Sequence, residues 1–198
     1  MQLQINSLCK VFDERVVLDN VTLTLDAGIY ALTGPSGCGK TTLARILCGL
    51  EEKSSGSITP ELYSSSFMFQ EPRLFPWLDV SANVEKVTGC DTNRATELLS
   101  ALELGDDLRK HPYELSVGMQ RRVAIARTLA MQNADLYVFD EPLAGLDEER
   151  KHTVCRLIKE NVPKDSVVII ISHELSKVSE IADFMLRLED GRISKTNK

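Results

Sequence analysis

The chain has 198 residues, a length that fits one globular domain with a small subdomain embedded in it. Hydrophobic residues make up 43% of the sequence and charged residues 26%, as in an ordinary soluble protein. The net charge of −6 argues against broad electrostatic binding to nucleic acid, so we expect no nucleic-acid partner.

The sequence shows no sign of a zinc site, a secretory leader or a membrane span. Its five cysteines form no CxxC pair and it has only three histidines, which argues against zinc. The segment MQLQINSLCKVF lacks the apolar core of a signal peptide, so we expect reduced thiols in a cytosolic protein. The longest apolar run, Val167–Ile171, is too short to cross a bilayer, so another chain would have to hold this one at a membrane.

The first part of the chain has the alternating pattern of β-strands. The segments LQIN and VTLTL predict strands, and DER and DN predict turns beside them. GIYALTG, residues 28–34, predicts a compact strand that runs into a glycine-rich loop. Residues 51–66 predict a polar loop with a possible short hairpin. Between these segments, apolar side chains at helical spacing predict one face of a helix: Leu43, Ile46, Leu47 and Leu50.

The middle of the chain changes from strand to helix. SFMFQ predicts a short strand ending at Gln70. Residues 72–112 then predict a helical insertion with two helices, in SANVEKV and TNRATELLSALEL.

Strands return in the last third of the chain, alternating with helices. LYVFDE predicts a strand that ends in two carboxylates, and SVVIIISHE predicts a buried strand. A helix with Val154 and Ile158 on one face lies between them, and a short helix is predicted at 175–181. FMLRLED and RISK predict strands around an Asp-Gly turn. Near-continuous Val and Ile runs favour a parallel sheet covered on both faces.

The segment GPSGCGKTT matches G-x-x-x-x-G-K-[ST] and lies between a predicted strand and a predicted helix. Its glycines let backbone N–H groups curl around a phosphate chain, and the helix N-terminus favours an anion. Lys40 can reach the outer phosphates, and the Thr41 hydroxyl can ligate Mg²⁺. A glycine-rich turn without a ligand is the plainer alternative. The predicted phosphate cradle consists of Gly34, Pro35, Ser36, Gly37, Cys38, Gly39, Lys40, Thr41 and Thr42.

Two carboxylates at the end of LYVFDE fit the same chemistry. Asp140 ends a buried strand and suits holding Mg²⁺ through a water molecule. Glu141 could polarise a water molecule for attack on the γ-phosphate. Alone, an acidic strand-end turn would be the better interpretation, but after a phosphate loop it is not. The two motifs predict a P-loop NTPase, and the absence of N-K-x-D from the sequence disfavours a common GTPase.

The segment LSVGMQRRVAIARTLA resembles the signature of ATP-binding cassette (ABC) ATPases, usually L-S-G-G-Q followed by a basic helix. The resemblance covers residues 3–194. It implies an α/β P-loop NTPase core with an antiparallel β subdomain and a small inserted α-helical subdomain. We expect a single domain over 1–198, with the core at 1–72 and 119–198 and a helical subdomain at 73–118 that carries the signature.

The resemblance also implies roles for residues outside the phosphate loop. Phe12 would stack on adenine, Gln70 would bind ATP and the metal ion, and His173 would act with Lys40 and Glu141 in catalysis. Taken alone, Phe12 is a core or turn aromatic, Gln70 a strand-end polar residue, and His173 a helix cap.

In the family the signature of one cassette faces the phosphate loop of another, with ATP between them. Ser116, Val117 and Gly118 would therefore contact ATP in trans. Asp147, in AGLD, would contact the other subunit as well as cap a helix. Val117 departs from the pattern because it replaces a glycine, and a β-branched residue does not readily take a positive φ. Helical or extended geometry would tolerate it, but we expect weaker clamping of ATP.

These resemblances imply an ATPase subunit of a transporter, with ATP and Mg²⁺ as cofactors. The apolar segment EPRLFPWLDV could form a groove for an integral membrane permease, or simply pack the insertion onto the core. FQEPRLFPW resembles importers of the nitrate, sulfonate and taurine group. We therefore expect a peripheral importer subunit on the cytoplasmic face of the cell membrane, with a second cassette and a substrate-binding protein as partners. The alternatives are an exporter, a non-transport ABC ATPase and a small-molecule kinase.

Overall fold

The computed structural model describes residues 1–173 and 175–197 and has two sheets surrounded by helices. The strands are β1 (Gln2–Phe12), β2 (Arg15–Asp26), β3 (Gly28–Thr33), β4 (Ser55–Thr59), β5 (Ser65–Met68), β6 (Leu136–Asp140), β7 (Val167–Ile171), β8 (Phe184–Glu189) and β9 (Arg192–Asn197). The α-helices are α1 (Lys40–Leu47), α2 (Val80–Thr88), α3 (Thr92–Ala101), α4 (Val117–Ala130), α5 (Glu148–Asn161) and α6 (Leu175–Ile181). Short 3₁₀ turns cover Gly105–Asp107 and Pro112–Glu114.

The smaller sheet has the order β2-β1-β4 and is antiparallel. Two local predictions are wrong here. The DN segment, predicted as a turn, lies inside β2. Asn20 has a φ of 51°, and the pairing of β1 with β2 is irregular nearby, but β2 continues without a break. The predicted polar loop contains β4, which pairs with β1 through Ile5 and Ile58 and forms no hairpin of its own. Such long-range pairing leaves little trace in a local pattern.

The larger sheet has the order β5-β6-β7-β3-β8-β9 and is parallel except for its last pair. Every residue of β6 and β7 is buried, as continuous apolar runs in a doubly covered sheet require. Apolar clusters cover its two faces, so the predicted α/β architecture is confirmed. Because β3, β6 and β7 are parallel neighbours, the loops that follow them emerge at one edge.

Some element ends differ from the sequence prediction. Helix α1 stops at Leu47, so Leu50 lies beyond it and is half exposed rather than on its buried face. Strand β5 ends at Met68, two residues before Gln70. The predicted strand SVVIIISHE ends at Ile171, and its last residue, Glu174, lies outside the described residues. A short apolar run such as Val167–Ile171 does not fix where hydrogen bonding stops.

The insertion contains the two predicted helices, and each has an aspartate cap. The side chains of Asp79 and Asp91 accept N–H groups in the first turns of α2 and α3. Both helices pack on α4, which runs without a break through residues 117–130. The predicted boundary at 118/119 falls inside this helix, and the division into subdomains stays a prediction. None of the described helices is long and apolar enough to cross a membrane.

Candidate nucleotide-binding site

A cleft of about 720 Å³ opens at the edge of the large sheet where β3, β6 and β7 end. Loops at this edge bring together segments that are far apart in the sequence. The predicted site residues that line it are Ser36, Gly37, Gly39, Lys40, Thr41, Thr42, Gln70, Asp140, Glu141 and His173.

The phosphate loop needs glycine at two of its positions. Gly39 precedes α1 with a φ of 104°, and a Cβ there would lie 2.8 Å from Cγ1 of Val17. A Cβ on Gly34, whose φ is 144°, would lie 2.0 Å from the carbonyl oxygen of Leu188. Gly39 also caps α1 without any side-chain hydrogen bond. The first N–H groups of α1 therefore have no side-chain acceptor at the cap, which suits binding of an anion.

The Lys40 side chain is buried and lies along the phosphate loop. Its Nζ donates to the carbonyl oxygens of Gly34 at 2.8 Å and Pro35 at 2.9 Å. Both acceptors belong to the loop that would surround the phosphates. The ammonium group is thus held in the loop by neutral carbonyls, which an anionic oxygen could replace as a stronger acceptor.

Thr41 and Asp140 meet at the floor of the cleft. The Thr41 hydroxyl donates to Oδ2 of Asp140 at 2.9 Å, and Asp140 is 2% exposed. Burial raises the pKa of the Asp140 carboxyl, while the Thr41 hydrogen bond and the charges of Arg45 and Lys40 act to lower it. The pair brings two oxygen atoms together beside the start of α1.

Glu141 follows with an unusual backbone. Its φ is 55°, which is uncommon for a residue with a Cβ, and its N–H donates to the carbonyl of Ile171 at 2.9 Å. Oε1 of Glu141 lies 3.4 Å from Nε2 of His173. Burial raises the pKa of the Glu141 carboxyl, and His173 acts to lower it. A carboxylate beside an exposed imidazole in a cleft can accept a proton from water.

The predicted metal ligands are suited to a small hard cation. Thr41, Gln70 and Asp140 offer a hydroxyl, an amide carbonyl and a carboxylate, the oxygen donors that Mg²⁺ prefers. Among the described residues there is no group of three or more His, Cys, Asp or Glu side chains that could hold a metal ion alone. A cation here would therefore also need oxygens from phosphate or water.

Some predicted ATP contacts lie elsewhere. Phe12 is not among the lining residues of the cleft, and the Lys10 ammonium sits 4.3 Å from the centre of its ring. Pro35 and Cys38 line an adjoining cleft of about 560 Å³. Gly34 begins the phosphate loop but does not line this cleft, and its backbone lies against Leu188. Of these, only Phe12 was predicted from its place in the chain rather than from the loop motif.

The signature segment begins α4 and does not line this cleft. Oγ of Ser116 accepts the N–H of Met119 at 3.2 Å and so caps the helix. Val117 is the first helical residue and is 67% exposed. A Cβ on Gly118 would meet no heavy atom within 4 Å. The backbone at Val117 is helical, so the valine is tolerated without strain.

Asp147 caps α5, as one interpretation of the sequence expects. Its side chain accepts the N–H of Arg150 at 2.9 Å and forms an ion pair with the Arg150 guanidinium at 2.5 Å. A contact of Asp147 with another subunit stays a prediction.

Residues 18–144 match the family model described as ABC transporter. The chain belongs to the ABC transporter family. It is an ABC ATPase, and the predictions of ATP hydrolysis and of a transporter's ATP-hydrolysing subunit are confirmed. The match includes the phosphate loop and the signature, whereas Phe12, Asp147 and His173 lie outside it.

Curated relatives of this cassette are import proteins. It is 37% identical to the aliphatic sulfonates import ATP-binding protein SsuB of Rhodopseudomonas palustris (strain BisA53), covering 98% of this chain and 73% of the relative. It is 36% identical to the protein of the same name from Pectobacterium atrosepticum, covering 96% and 75%. The predicted resemblance to the sulfonate importer group is therefore confirmed.

Solved cassettes have the same fold. A dimeric ATP-binding cassette in a post-hydrolysis state, bound to ADP and Pi, superposes with a TM-score of 0.86 at 27% identity, covering 98% of both chains. A dimeric bacterial ABC transporter cassette gives a TM-score of 0.87 at 26% identity, again over 98% of both chains.

Sequence reasoning missed several residues that line the cleft of this cassette. Arg15 and Val17 come from β2, and the Arg15 guanidinium donates to the Gly37 carbonyl at 3.4 Å. Neither Arg15 nor Val17 belongs to a sequence motif. They line the cleft only because β2 lies beside the phosphate loop. Of the other lining residues, Ala144 and Gly145 belong to the AGLD segment and Ile171 ends β7.

Proposed function

We propose that this cassette binds ATP with Mg²⁺ in the 720 Å³ cleft and hydrolyses it when a second cassette adds its signature. The energy would drive import of small organic anions of the sulfonate type through a membrane permease. The observation that carries the proposal is the separation of the two anion-binding segments. The phosphate loop lines the cleft with Glu141 and His173, whereas Ser116 caps a helix outside that lining.

The phosphate loop would hold the triphosphate. The N–H groups at the start of α1 and the Lys40 ammonium would bind phosphate oxygens, and Lys40 would give up its present carbonyl acceptors. Thr41, Gln70 and Asp140 would hold Mg²⁺, with Asp140 acting through water, and the ion would neutralise charge on the phosphates. Phe12 would stack on the adenine with the ring face that Lys10 leaves open.

Glu141 would act as the general base. It would take a proton from a water molecule whose oxygen forms a bond to the γ-phosphorus, while the bond from that phosphorus to the β,γ-bridging oxygen breaks. His173, 3.4 Å from the carboxylate, would orient the water and contact the γ-phosphate. ADP and inorganic phosphate would then leave.

A second cassette would complete each site. Ser116, Val117 and Gly118 would face the triphosphate held by the partner, and Asp147 would contact the partner chain. Support comes from two similar cassettes that were solved as dimers. ATP held from both sides would stabilise the dimer, and hydrolysis would release it.

An exposed aromatic pair would bind the permease. Trp77 is 70% exposed, and its ring lies 5.2 Å from the ring of Phe75. Asn83, fully buried, accepts the Phe75 N–H and donates to the carbonyls of Phe75, Leu78 and Asp79. The segment is thus held in place from beneath while its aromatic side chains face outward, which suits a docking surface. The cassette would lie at the cytoplasmic face of the membrane.

The substrate class rests on the curated relatives, which are named for import of aliphatic sulfonates. An importer of this kind would also use a substrate-binding protein outside the membrane. The cassette itself would not contact the transported anion, so its own cleft does not select the substrate.

The test of the site uses the Glu141→Gln variant, which keeps the shape of the side chain and removes the base. We expect phosphate release to fall by about 10²-fold or more, while ATP produces a dimer visible by light scattering. An active variant, or a variant that neither hydrolyses ATP nor dimerises with it while remaining folded, would contradict the proposal.

The test of the docking surface uses co-purification with the membrane permease of the transporter. Trp77→Ala should weaken the complex by about 2 kcal/mol or more, as a central aromatic contact does. Leu62→Ala is the matched control, because Leu62 is 91% exposed on another part of the surface. Equal binding by both variants would rule out Trp77 as a contact. Uptake of an alkanesulfonate into proteoliposomes holding the whole transporter tests the substrate class.

A further inference from the structure

Helix α4 carries three arginines, and each one binds the backbone of a different segment. Arg121 donates to the carbonyl of Ala144, in the loop after Glu141. Arg122 donates to the carbonyl of Leu102 at 2.6 Å, at the end of α3. The third, Arg127, reaches the carbonyls of residues 72 and 73, just after Gln70. The helix that begins at the signature is thus fastened to the loop after Glu141, which lines the cleft, and to the segment that follows Gln70.

The contact of Arg121 is the one nearest to the proposed general base. Nη1 of Arg121 reaches the Ala144 carbonyl, and a Cβ on Gly145 would lie 3.5 Å from the same atom. Nε of Arg121 is buried and has no hydrogen-bond partner among the described residues. A partly desolvated guanidinium makes a strong charge-assisted bond to a carbonyl. This bond is therefore the main polar contact that fixes the guanidinium.

Ala144 and Gly145 form part of the cleft wall. Both line the cleft with Glu141, and the Ala144 N–H donates to the Glu141 carbonyl at 3.4 Å. Glu141 and Gly145 take positive φ values of 55° and 75°, so the loop between them turns sharply at both ends. A carbonyl held in the middle of such a loop limits how far the base can move.

We infer that Arg121 is a positioning residue that fixes the loop beside Glu141 to the signature helix of the same chain. Arg121 lies five residues after Ser116, about 7.5 Å along a rigid helix. A displacement of the signature would therefore reach the Ala144 carbonyl through one side chain. The inference rests on the proposed function, because it gives the signature and Glu141 their roles.

The first experiment does not depend on that function. Hydrogen exchange of the backbone amides at 143–147 is compared in the full chain, in Arg121→Ala and in Arg122→Lys. We expect exchange there to speed up about tenfold in Arg121→Ala, because the loop loses its charged donor. Arg122→Lys is the matched control on the same helix, since Arg122 binds α3 instead. Equal protection in Arg121→Ala and the unmodified chain would overturn the inference.

The second experiment locates the effect in a mixed dimer with a single competent site. Pairing a Ser116→Ala chain with a Lys40→Ala chain leaves only the cleft of the first and the signature of the second. Adding Arg121→Ala to the first chain should lower kcat about 10-fold to 100-fold, as misplaced catalytic groups do, with KM for ATP changed less than about twofold. Adding it to the second chain should leave kcat near that of the parent dimer.

Arg121→Lys should restore part of kcat, because it keeps the charge but loses the fork of donors. A fall in kcat only when the substitution lies in the second chain would overturn the inference, and so would an unchanged kcat in both. Failure of the proposed function would appear separately, as a parent mixed dimer that hydrolyses no ATP. If Arg121→Ala does not fold, Arg121→Gln takes its place in both experiments.

Discussion

The starts of α1 and α4 are both predicted to bind phosphate, yet they are built differently. Gly39 precedes α1 in a left-handed conformation and offers no side-chain cap. Ser116 precedes α4, and its Oγ accepts the N–H of Met119. The first helix leaves its N–H groups to the cleft, whereas the second satisfies one of its own. Since unpaired N–H groups at a helix start need an acceptor, the two ends differ in how much they need a ligand.

Their surroundings differ in the same sense. The start of α1 lies in a cleft whose walls come from three strands and their loops. The start of α4 is at the surface, with Val117 67% exposed. The start of α4 is capped by its own serine and is therefore stable without a partner molecule. The Ser116 hydroxyl can still donate a hydrogen bond to an anion. In the proposed dimer, this difference would let a phosphate-binding site be divided between two copies of the chain without leaving either copy unstable.

The largest expected effect comes from inactivating each segment separately. Lys40→Ala and Ser116→Ala should each lower ATP hydrolysis by about 10²-fold, as loss of one donor to developing charge does. Mixing the two variants should restore activity to at most one site per heterodimer. Steady-state phosphate release at varied mixing ratios measures this. A mixture as inactive as its parts would mean that the two segments do not complement each other across chains.

The next effect concerns the backbone of the phosphate loop. Gly34→Ala should lower the free energy of unfolding by about 3 kcal/mol, because its Cβ would lie 2.0 Å from the Leu188 carbonyl. Gly37→Ala is the control, since nothing lies within 4 Å of its Cβ and only its positive φ is unfavourable. That control should cost about 1 kcal/mol. Urea unfolding distinguishes the two variants. Equal losses of unfolding free energy would mean that the structure around residue 34 shifts enough to relieve the crowding.

A smaller effect is expected at the cap of α4. Ser116→Ala should lower the free energy of unfolding by about 1 kcal/mol, because the Met119 N–H loses its acceptor. Ser116→Asp keeps an acceptor and should retain most of that stability, although its charge would repel a partner's ATP. Thermal unfolding without nucleotide gives the comparison. If Ser116→Ala were as stable as the unmodified chain, the Ser116 cap would not explain why the start of α4 stays helical without a partner cassette.

The smallest effect is expected at Val117. Val117→Gly should raise ATP hydrolysis by about twofold, because it removes a branched side chain from the face that would meet a partner's nucleotide. The same change should cost α4 up to about 1 kcal/mol through backbone entropy. The control is Val117→Ala at the same position. A valine-to-glycine change elsewhere, such as Val16→Gly, would weaken a strand and is a poor control. Unchanged or lower hydrolysis in Val117→Gly would show that the valine does not weaken the clamp.

The parts of the site that the sequence predicts are those whose chemistry is local. Gly39, Lys40 and Thr41 lie within one short motif, and their geometry follows from a strand, a turn and a helix. Asp140 and Glu141 were recognisable because a buried strand ends in carboxylates. In each case the residues of one motif are neighbours in the chain, although Asp140 meets Thr41 only through the parallel sheet.

The parts that the sequence did not predict depend on long-range packing. Arg15 enters the cleft only because β2 lies beside the phosphate loop, and β4 pairs with a strand that is distant in the chain. In the sequence Arg121 is an ordinary basic residue of a helix, and its contact with Ala144 appears only when α4 packs beside the loop that follows β6. Asn83 likewise holds the aromatic segment through four hydrogen bonds that no motif encodes.

The contact between Gly34 and Leu188 has a consequence for synthesis of the chain. Gly34 is made well before β8, the strand whose Leu188 carbonyl lies against it. At about 5–20 residues per second, the delay between them is on the order of ten seconds. Throughout that interval the nascent chain carries a complete phosphate-loop motif without its support. Nucleotide binding at this loop would therefore have to follow the synthesis of β8.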